Sequence, residues 1–432
     1  MITGSSIPMC FINRATLFII TIIALFCLVL PIGKTTDRFV CILMLSLSFT
    51  PIVISWKQKD ATFLIIYLYM AMYALPPIQY CFLGEDISQW RTQCQSQVTV
   101  YQTMLTVIIF YLGIIWGQYK SGYKKRNNVY VHILRTNNNY IGYILCIIIA
   151  IICIIFGKSG DTIIASGGYG QSENVVHNSL YGYGVIPLLI GLQFSNSIFK
   201  RYIIFALCGI YMVKDLLYGG RIDSIQLCIG LYLLYFRFKW TLKKTILIAC
   251  LGFVIMTIWG IFRAAIDRGI VFAYERFIGN IGGDGNSNEV FYSSMRIIYF
   301  IENGILTLSD RIESFIYFIE SIFVPYSWLP DIANLSSWNQ QIASSGGGGL
   351  FPVYMMAMCG WGGLFIAAFI IGIAFRKFQD AKGSNFFTFW AILVVTTVPR
   401  WYAYYPISLF KFALFGSLLY VILNRFFPRT KI

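Results

Sequence analysis

Polar segments divide this chain into apolar runs of about 17–25 residues, the length at which an α-helix crosses the hydrocarbon core of a bilayer. Hydrophobic residues make up 58% of the 432 residues and charged residues only 12%. Soluble domains carry roughly 25% charged residues, so this chain has too few charges to cover a soluble surface. Barrel strands would show shorter, alternating segments. We therefore predict an all-α, polytopic helical membrane protein with about 12 transmembrane helices.

The predicted spans lie near residues 15–33, 39–56, 61–83, 98–118, 140–157, 181–198, 202–218, 222–236, 245–262, 350–375, 386–399 and 407–424. The first run is long enough to span the membrane and no small-x-small cleavage site follows it, so it is predicted as a transmembrane helix rather than a signal peptide. The chain thus divides into helices one to nine with short loops (1–262), one large external loop (263–349) and the last three helices (350–432).

The large loop is predicted to contain two amphipathic helices, Glu289 to Glu302 and Asp310 to Phe323. Asp310, three residues before Glu313, resembles the start of a capping box. The second helix is apolar nearly all round, which favours a position in the membrane interface or packed under the loop. The loop ends in Ser344-Ser345-Gly346-Gly347-Gly348-Gly349, which we predict to be a flexible polar hinge into the next span.

Lysine and arginine are concentrated in every second loop, and those loops contain few acidic residues. By the positive-inside rule these loops are cytoplasmic, so both termini are predicted to be cytoplasmic and the number of spans even. The net charge of +15 is explained by this sidedness, and we predict no binding to nucleic acid.

Most of the 11 cysteines lie within apolar runs and act there as small apolar residues. Cys81 and Cys94 flank a short external loop, where a disulfide is one interpretation and free thiols are the favoured one. No Cys/His spacing suggests a metal site, and the chain contains no Walker-type loop and no Asp-x-Asp motif. We therefore predict no metal and no cofactor.

Several arginines near the external face oppose the usual charge bias: Arg221, Arg263, Arg268, Arg276, Arg296, Arg311 and Arg400. The planar guanidinium suits bidentate binding of phosphate oxygens, which a lipid diphosphate would present at this depth. The alternative is that these arginines anchor at lipid head groups or pair with nearby carboxylates, namely Asp223, Asp267 and Glu275. For the cluster as a whole we favour anion binding.

Two further sites contain groups able to carry chemistry. His177 precedes the sixth span on the external side, where a neutral imidazole can accept a proton from an attacking hydroxyl; a structural role is the alternative. Lys214 and Asp215 lie within the seventh span, where ionisable groups are costly and mark function. A structural role is equally open there, with Lys214 or Lys411 snorkelling or pairing with Asp215.

Three local features occur together in this chain. They are Gly219-Gly220-Arg221 before a span, the glycine-rich loop end that leads into Leu350-Phe351-Pro352-Val353-Tyr354, Gly360-Trp361-Gly362-Gly363 and Gly372, and Arg400 near the end of the penultimate span. In these features the chain resembles the bacterial O-antigen polymerases, also called oligosaccharide repeat-unit polymerases. The layout of many spans with one large late external loop is also similar. His177-Asn178-x-Leu180 resembles a pattern of the related O-antigen ligases, in which it follows the large loop instead of preceding it.

The resemblance implies metal-independent glycosyl transfer from undecaprenyl diphosphate at the periplasmic face of the bacterial inner membrane. The implied partners are an undecaprenyl-diphosphate-linked oligosaccharide, membrane lipids and a chain-length regulator. On this basis Arg221, Arg263 and Arg400 are assigned to the diphosphate, with Arg296 in reserve. His177 is the candidate base, and the alternates are Asp223 and Glu289. The competing interpretations are a flippase of lipid-linked oligosaccharides, an O-antigen ligase and a membrane scaffold without chemistry.

Overall fold

The computed structural model describes residues 14–84, 96–120, 139–160, 175–177, 180–218, 220–236, 240–268, 286–342, 348–380 and 386–426. This part is mainly helical, which confirms the all-α prediction. The α-helices before the large loop are α1 (Arg14–Cys27), α2 (Lys34–Lys57), α3 (Ala61–Met72), α4 (Pro77–Phe82), α5 (Gln97–Lys120), α6 (Tyr140–Phe156), α7 (Leu180–Tyr183), α8 (Val185–Phe194), α9 (Ile198–Leu217), α10 (Ile222–Leu231) and α11 (Leu242–Arg268).

The later α-helices are α12 (Asn286–Glu302), α13 (Leu308–Glu320), α14 (Leu335–Ile342), α15 (Phe351–Asp380), α16 (Phe386–Thr396), α17 (Val398–Trp401) and α18 (Lys411–Phe426). A π-helical turn (Tyr232–Phe236) continues α10, and short 3-10 turns occur at Tyr326–Trp328, Asp331–Ala333 and Pro406–Leu409. Two three-residue strands, β1 (Lys158–Gly160) and β2 (Val175–His177), pair antiparallel.

Four helical segments in the described part are long and apolar enough to cross a membrane: Lys34–Lys57, Gln97–Tyr119, Phe351–Arg376 and Pro406–Phe426. Several shorter helices, such as α6, are also strongly apolar. Large apolar side chains point outward from the bundle, for example Phe18 on α1 at 59% exposed and Phe199 on α9 at 70%. Such an outer surface suits contact with lipid rather than with water.

Helices α6 and α8 pack against each other in opposite directions at positions where glycine allows a close approach. A β-carbon at Gly184, immediately before α8, would lie 3.0 Å from Cys153 Cβ in α6, and one at Gly191 in α8 would lie 3.4 Å from Cys146 Cβ. The α8 numbers rise as the α6 numbers fall, so the two helices are antiparallel. Small residues at helix contacts are typical of packing within membranes.

The long helix α15 reverses direction at Gly360. Phe351 and Phe375 are 24 residues apart (375 minus 351), which is about 36 Å along a straight helix. Nevertheless, both rings contact Trp401, with centroid distances of 5.2 Å and 6.5 Å. Gly360 makes the turn with φ 68° and ψ −174°, which is non-helical backbone. The span predicted over 350–375 is therefore not one continuous helix: residues 351–359 form a short return segment, and 361–380 form the long helix.

The second half of α15 lies directly against α5. A β-carbon at Gly113 would lie 2.6 Å from Ala368 Cβ, and one at Gly117 would lie 3.1 Å from Gly372 Cα. Both numbers rise together, so residues 361–380 run parallel to α5. Their length, about 30 Å, matches a hydrocarbon core.

The described end of the glycine-rich hinge is fixed rather than flexible. Gly348 adopts a φ of +98°, and its carbonyl accepts a 2.5 Å hydrogen bond from Ser293 Oγ on α12. The Gly349 N–H donates to the Ala403 carbonyl at 3.1 Å. Residues 344–347 of the predicted hinge lie outside the described residues. The hydrogen bonds tie this segment to α12 and to the chain that follows Arg400.

The second loop helix begins earlier than predicted, because its cap is a different residue. Thr307 precedes α13, and its side-chain oxygen accepts from the Asp310 N–H at 3.3 Å. The Asp310 carboxylate accepts in return from the Thr307 N–H at 2.8 Å. The capping box is thus Thr307–Asp310 and not Asp310–Glu313.

Cys81 is a free, buried thiol that donates a hydrogen bond to the carbonyl of Asp37 at 3.7 Å. The other cysteine of the possible disulfide, Cys94, lies outside the described residues. The favoured prediction of a free thiol is confirmed for Cys81.

Candidate functional site

Asp223 and Arg400, two of the residues singled out in the sequence, form an ion pair. Arg400 Nη2 lies 2.9 Å from Asp223 Oδ1. Asp223 stands in the first turn of α10, and Arg400 in the short helix α17. The Asp223 side chain is 6% exposed and the Arg400 side chain 26%. A buried carboxylate therefore holds a guanidinium that is still partly open to the surroundings, an arrangement that leaves it able to meet an anion.

The residues on either side of Arg400 are held by hydrogen bonds to other parts of the chain. The Tyr69 hydroxyl donates to the Pro399 carbonyl at 3.0 Å. The Trp401 indole is fully buried and donates to the Val394 carbonyl at 3.1 Å. Proline at the start of a helix is favourable because its missing N–H would be unpaired there in any case. These contacts fix the direction in which the Arg400 side chain leaves the backbone.

Gly182 packs closely against the Arg400 guanidinium. A β-carbon at this position would lie 2.7 Å from Arg400 Nη1 and 3.4 Å from Asp223 Oδ1. The Arg400–Asp223 pair thus lies directly against the backbone of α7. Any larger residue at 182 would have to displace the guanidinium.

A second ion pair, between Lys158 and Asp215, lies close to the first and is more deeply buried. The side-chain exposures are 5% for Lys158 and 0% for Asp215. The other carboxylate oxygen of Asp215 accepts from Ser224 twice, from its N–H at 2.9 Å and from its hydroxyl at 2.6 Å. The Gly220 N–H donates to the Asp215 carbonyl at 2.8 Å. Asp215 therefore links β1, the end of α9 and the start of α10.

This arrangement corrects the proposed pairing of Asp215 with Lys214 or Lys411. Lys214 Nζ instead donates to the carbonyl of Ile155, at 3.2 Å, and to that of the preceding residue at the end of α6. Lys411 Nζ donates to the carbonyls of Ser321 and Val324, both at 3.0 Å, just after α13. Both ammonium groups thus satisfy carbonyls at helix C-termini, where a positive charge is favoured.

Two stacked tyrosines line the buried ion pair. The rings of Tyr181 and Tyr211 stack with centroids 4.3 Å apart, and the Tyr211 hydroxyl donates to the Tyr181 carbonyl at 2.9 Å. Lys158 Nζ lies 4.4 Å from the Tyr181 ring centroid, within the range of a cation–π interaction. The aromatic wall and the carboxylate together hold the ammonium in place.

The candidate base His177 belongs to the same assembly through its backbone. It ends β2, and its register partner in β1 is Lys158. The His177 side chain lies outside the described residues. The sheet therefore places the His177 backbone beside the residue whose side chain pairs with Asp215.

The remaining predicted site residues are more dispersed. Arg221 is exposed immediately before α10, two residues from Asp223. Glu289 is exposed on the first turn of α12, whereas Arg296 on the same helix is only 2% exposed. As placed, Arg296 is closed off from solvent, which does not fit its assigned reserve role toward the diphosphate. The side chain of Arg263, in α11, lies outside the described residues.

The sequence reasoning missed Lys158, Gly182 and Ser224. Lys158 carried a detectable signal, because it follows an apolar span on the side predicted to be external and so opposes the charge bias. Ser224 and Gly182 carried none, since a serine or a glycine at the start of a helix is common for many reasons.

The residues that the structure describes contain no group of three or more His, Cys, Asp or Glu side chains able to hold a metal ion. A comparison of the chain with protein-family models, with curated proteins and with solved structures found no match.

Proposed function

We propose that this chain is a membrane glycosyltransferase that polymerises lipid-linked oligosaccharide repeat units of a surface polysaccharide. It would act at the periplasmic face of the bacterial inner membrane and use undecaprenyl diphosphate as the leaving group. The observation that carries the proposal is the Asp223–Arg400 pair, in which a buried carboxylate presents a partly exposed guanidinium between helix ends. A guanidinium fixed in this way suits a diphosphate better than a flexible surface arginine does.

The proposed topology has twelve crossings with both termini in the cytoplasm. The antiparallel packing of α6 and α8 supports this alternation, as does the parallel packing of α5 with residues 361–380. In this topology only the second half of α15 crosses, while 351–359 enters from the periplasmic side and returns. The number of crossings is thus unchanged by the reversal at Gly360.

In the proposed reaction a hydroxyl of the incoming repeat unit attacks the anomeric carbon of the growing glycan. The bond between that carbon and the diphosphate oxygen breaks, and its electron pair leaves with the diphosphate. The hydroxyl proton passes to a general base. Arg400 and Arg221, with Arg263, would stabilise the negative charge on the departing diphosphate. Because the leaving group is already activated, this reaction requires neither nucleotide nor metal.

The ion pair changes the role that we assign to Asp223. A carboxylate in contact with Arg400 is engaged in holding that guanidinium, so it is less suited to accept a proton. We therefore keep His177 as the proposed base and Glu289 as its alternate, and we assign Asp223 to the orientation of Arg400.

The test is complementation of a strain from which this chain has been deleted, with glycan chain lengths resolved on a gel. Wild-type protein should restore long chains, whereas Arg400→Ala should leave a single repeat attached to its acceptor. Arg425→Ala, an exposed arginine at the opposite end of the bundle, is the matched control and should restore the full ladder. Full ladders from an Arg400→Ala variant present at normal levels would refute the proposal.

The second candidate is a flippase of lipid-linked oligosaccharides, and the interruption of α15 at Gly360 favours it. Interrupted helices form substrate sites in many transporters. The deletion strain separates the two functions. A polymerase defect leaves single repeats attached, whereas a flippase defect leaves lipid-linked repeats on the cytoplasmic side and none attached. Loss of attachment with repeats on the periplasmic side would indicate a ligase, which shares the donor chemistry.

A further inference from the structure

A buried ion pair joins the two parts of the candidate site that are far apart in the sequence. Lys158 belongs to β1 and thus to the strand pair that contains His177. Asp215 lies in the last turn of α9, close to the turn that leads to Arg221 and Asp223. Lys158 and Asp215 are 5% and 0% exposed in their side chains, so solvent screens their attraction little.

We propose that Lys158 and Asp215 are positioning residues that dock the β1–β2 strand pair, and with it His177, onto the Asp223–Arg400 pair. This inference rests on the proposed function. In that function the strand pair carries the general base His177, and the Asp223–Arg400 pair binds the departing diphosphate. Neither Lys158 nor Asp215 is proposed to touch the substrate.

Asp215 controls the direction of Asp223 through Ser224. Asp215 receives two hydrogen bonds from Ser224, at 2.9 Å from the N–H and 2.6 Å from the hydroxyl. Ser224 follows Asp223 directly in the first turn of α10. A carboxylate that holds both groups of Ser224 fixes the rotation of this turn, and so the direction in which Asp223 meets Arg400.

The Lys158–Asp215 ion pair occupies the space beside Gly220. A β-carbon at Gly220 would overlap both Asp215 Oδ1 and Lys158 Nζ. The glycine of the Gly219-Gly220-Arg221 motif is thus explained by the ion pair beside it, which needs the volume of the absent side chain. The motif joins the Lys158–Asp215 ion pair to Arg221, the exposed arginine at the start of α10.

The stability of the fold does not by itself explain why this ion pair is buried. Apolar residues of similar volume are often as stabilising as a buried ion pair, or more so, because desolvation offsets the attraction. Stability alone therefore does not require two charges here. Their hydrogen-bond directions do fix geometry, which is what a site assembled from separate segments needs.

The structural test uses hydrogen exchange of the full-length protein in detergent, and it is independent of catalysis. Asp215→Asn and Lys158→Met should both speed exchange in peptides covering 158–160 and 175–177 and in the first turn of α10. The control is Asp37→Asn, which removes another buried carboxylate with two side-chain partners, Tyr80 and Gln97. It should leave these peptides unchanged. Full protection of the strand pair in Asp215→Asn and Lys158→Met would overturn the docking role.

The functional test uses the same variants with lipid-linked repeat units isolated from the deletion strain. Misplacement by a fraction of an ångström should lower kcat by roughly 10- to 100-fold. KM for the lipid-linked donor should change by less than about threefold, since an interaction made mainly in the transition state acts on kcat. Lys158→Arg keeps the charge and should recover most of the lost kcat. Unchanged kcat in Asp215→Asn would overturn the positioning role.

The two failures can be told apart. If wild-type protein extends no glycan in this assay, the proposed function fails. The exchange measurement then still decides whether the Lys158–Asp215 ion pair docks the strand pair. If wild-type protein is active and the Asp215→Asn variant matches it, only the positioning inference fails.

Discussion

Arg311 Nε donates a hydrogen bond to the carbonyl oxygen of Ala357 at 2.5 Å. Its Nη2 also donates to the Met356 carbonyl at 3.2 Å. In a continuous helix these two carbonyls would accept from residues 360 and 361. The chain changes direction at Gly360, and the guanidinium from α13 binds both carbonyls at this point. The loop helix thus caps the interrupted helix with a positive charge at its negative end.

Replacing Arg311 by alanine should loosen the return segment 351–359. The two carbonyls would lose charge-assisted hydrogen bonds, each contributing about 1.5–3 kcal/mol at most, and water can replace part of this because Arg311 is only part-buried. We expect a net loss of about 1–2 kcal/mol, measured by thermal unfolding in detergent. Glu313→Ala, an exposed change on the same helix, is the control. Equal melting temperatures for Arg311→Ala and Glu313→Ala would contradict the capping role.

Gly360→Ala should destabilise the reversal through the backbone alone. No atom lies within 4 Å of the β-carbon position, so there is no clash. However, a φ of 68° with a ψ of −174° is a conformation essentially restricted to glycine, and another residue there costs about 1–3 kcal/mol. Gly209→Ala in α9 also meets open space, but in helical backbone, and should be neutral or slightly stabilising. Comparing the unfolding of the two variants isolates the conformational cost.

The reversal was invisible in the sequence for an energetic reason. A glycine within an apolar helix costs only about 1 kcal/mol relative to alanine, so glycines are tolerated without breaking the helix. Gly113, Gly117 and Gly372 lie within long helices and serve close packing instead. Gly360 stands in a cluster with Gly362 and Gly363, but a continuous helix can tolerate each of these glycines at the same small cost. The difference lies in Trp401 and Arg311, which come from distant segments and contact the two halves of α15.

The candidate site was foreseen as separate residues but not as an assembly. The sidedness of the charges was enough to single out Arg400, and buried ionisable groups in apolar runs were enough to single out Asp215. Their partners depend on which helix ends meet in space. For Asp215 the neighbouring Lys214 was the obvious partner, but that side chain caps α6 while Lys158 approaches from β1.

Gly182→Ala should impair activity more than folding. The new β-carbon would lie 2.7 Å from Arg400 Nη1, the far end of a side chain that can move by a few tenths of an ångström. The fold can therefore accommodate the methyl group, whereas the guanidinium cannot keep both its place and its contact with Asp223. We expect a roughly 10- to 100-fold lower polymerisation rate, with a melting temperature close to that of wild type. Gly209→Ala is again the matched control, and wild-type activity for Gly182→Ala would indicate that the position of Arg400 is not critical.

Thr307→Ala should fray the start of α13. The size of this effect should depend on pH, because the Asp310 carboxyl is a partner of Thr307. Hydrogen bonds donated by Thr307 lower the pKa of the Asp310 carboxyl from its ordinary 3.8. A carboxyl whose folded pKa is lowered stabilises the fold fully above its unfolded pKa, about 3.9, and loses that contribution as the pH falls through the folded value. The hydroxyl cap itself contributes about 0.5–2 kcal/mol to the helix.

Hydrogen exchange of peptides covering 308–320, corrected for the intrinsic effect of pH, gives the measurement for this variant. At about pH 7 Thr307→Ala removes both hydrogen bonds of the Thr307 hydroxyl, the one accepted from the Asp310 N–H and the one donated to the Asp310 carboxylate, so its difference from wild type should be largest there. As the pH falls through the lowered pKa of Asp310, the wild-type carboxyl is protonated and its bonds to Thr307 weaken, so the difference should shrink. Ser309→Ala, which changes an exposed hydroxyl in the same turn, should match wild type over the whole pH range. A difference that grows toward acid pH would show that the Asp310 carboxylate does not stabilise this helix start.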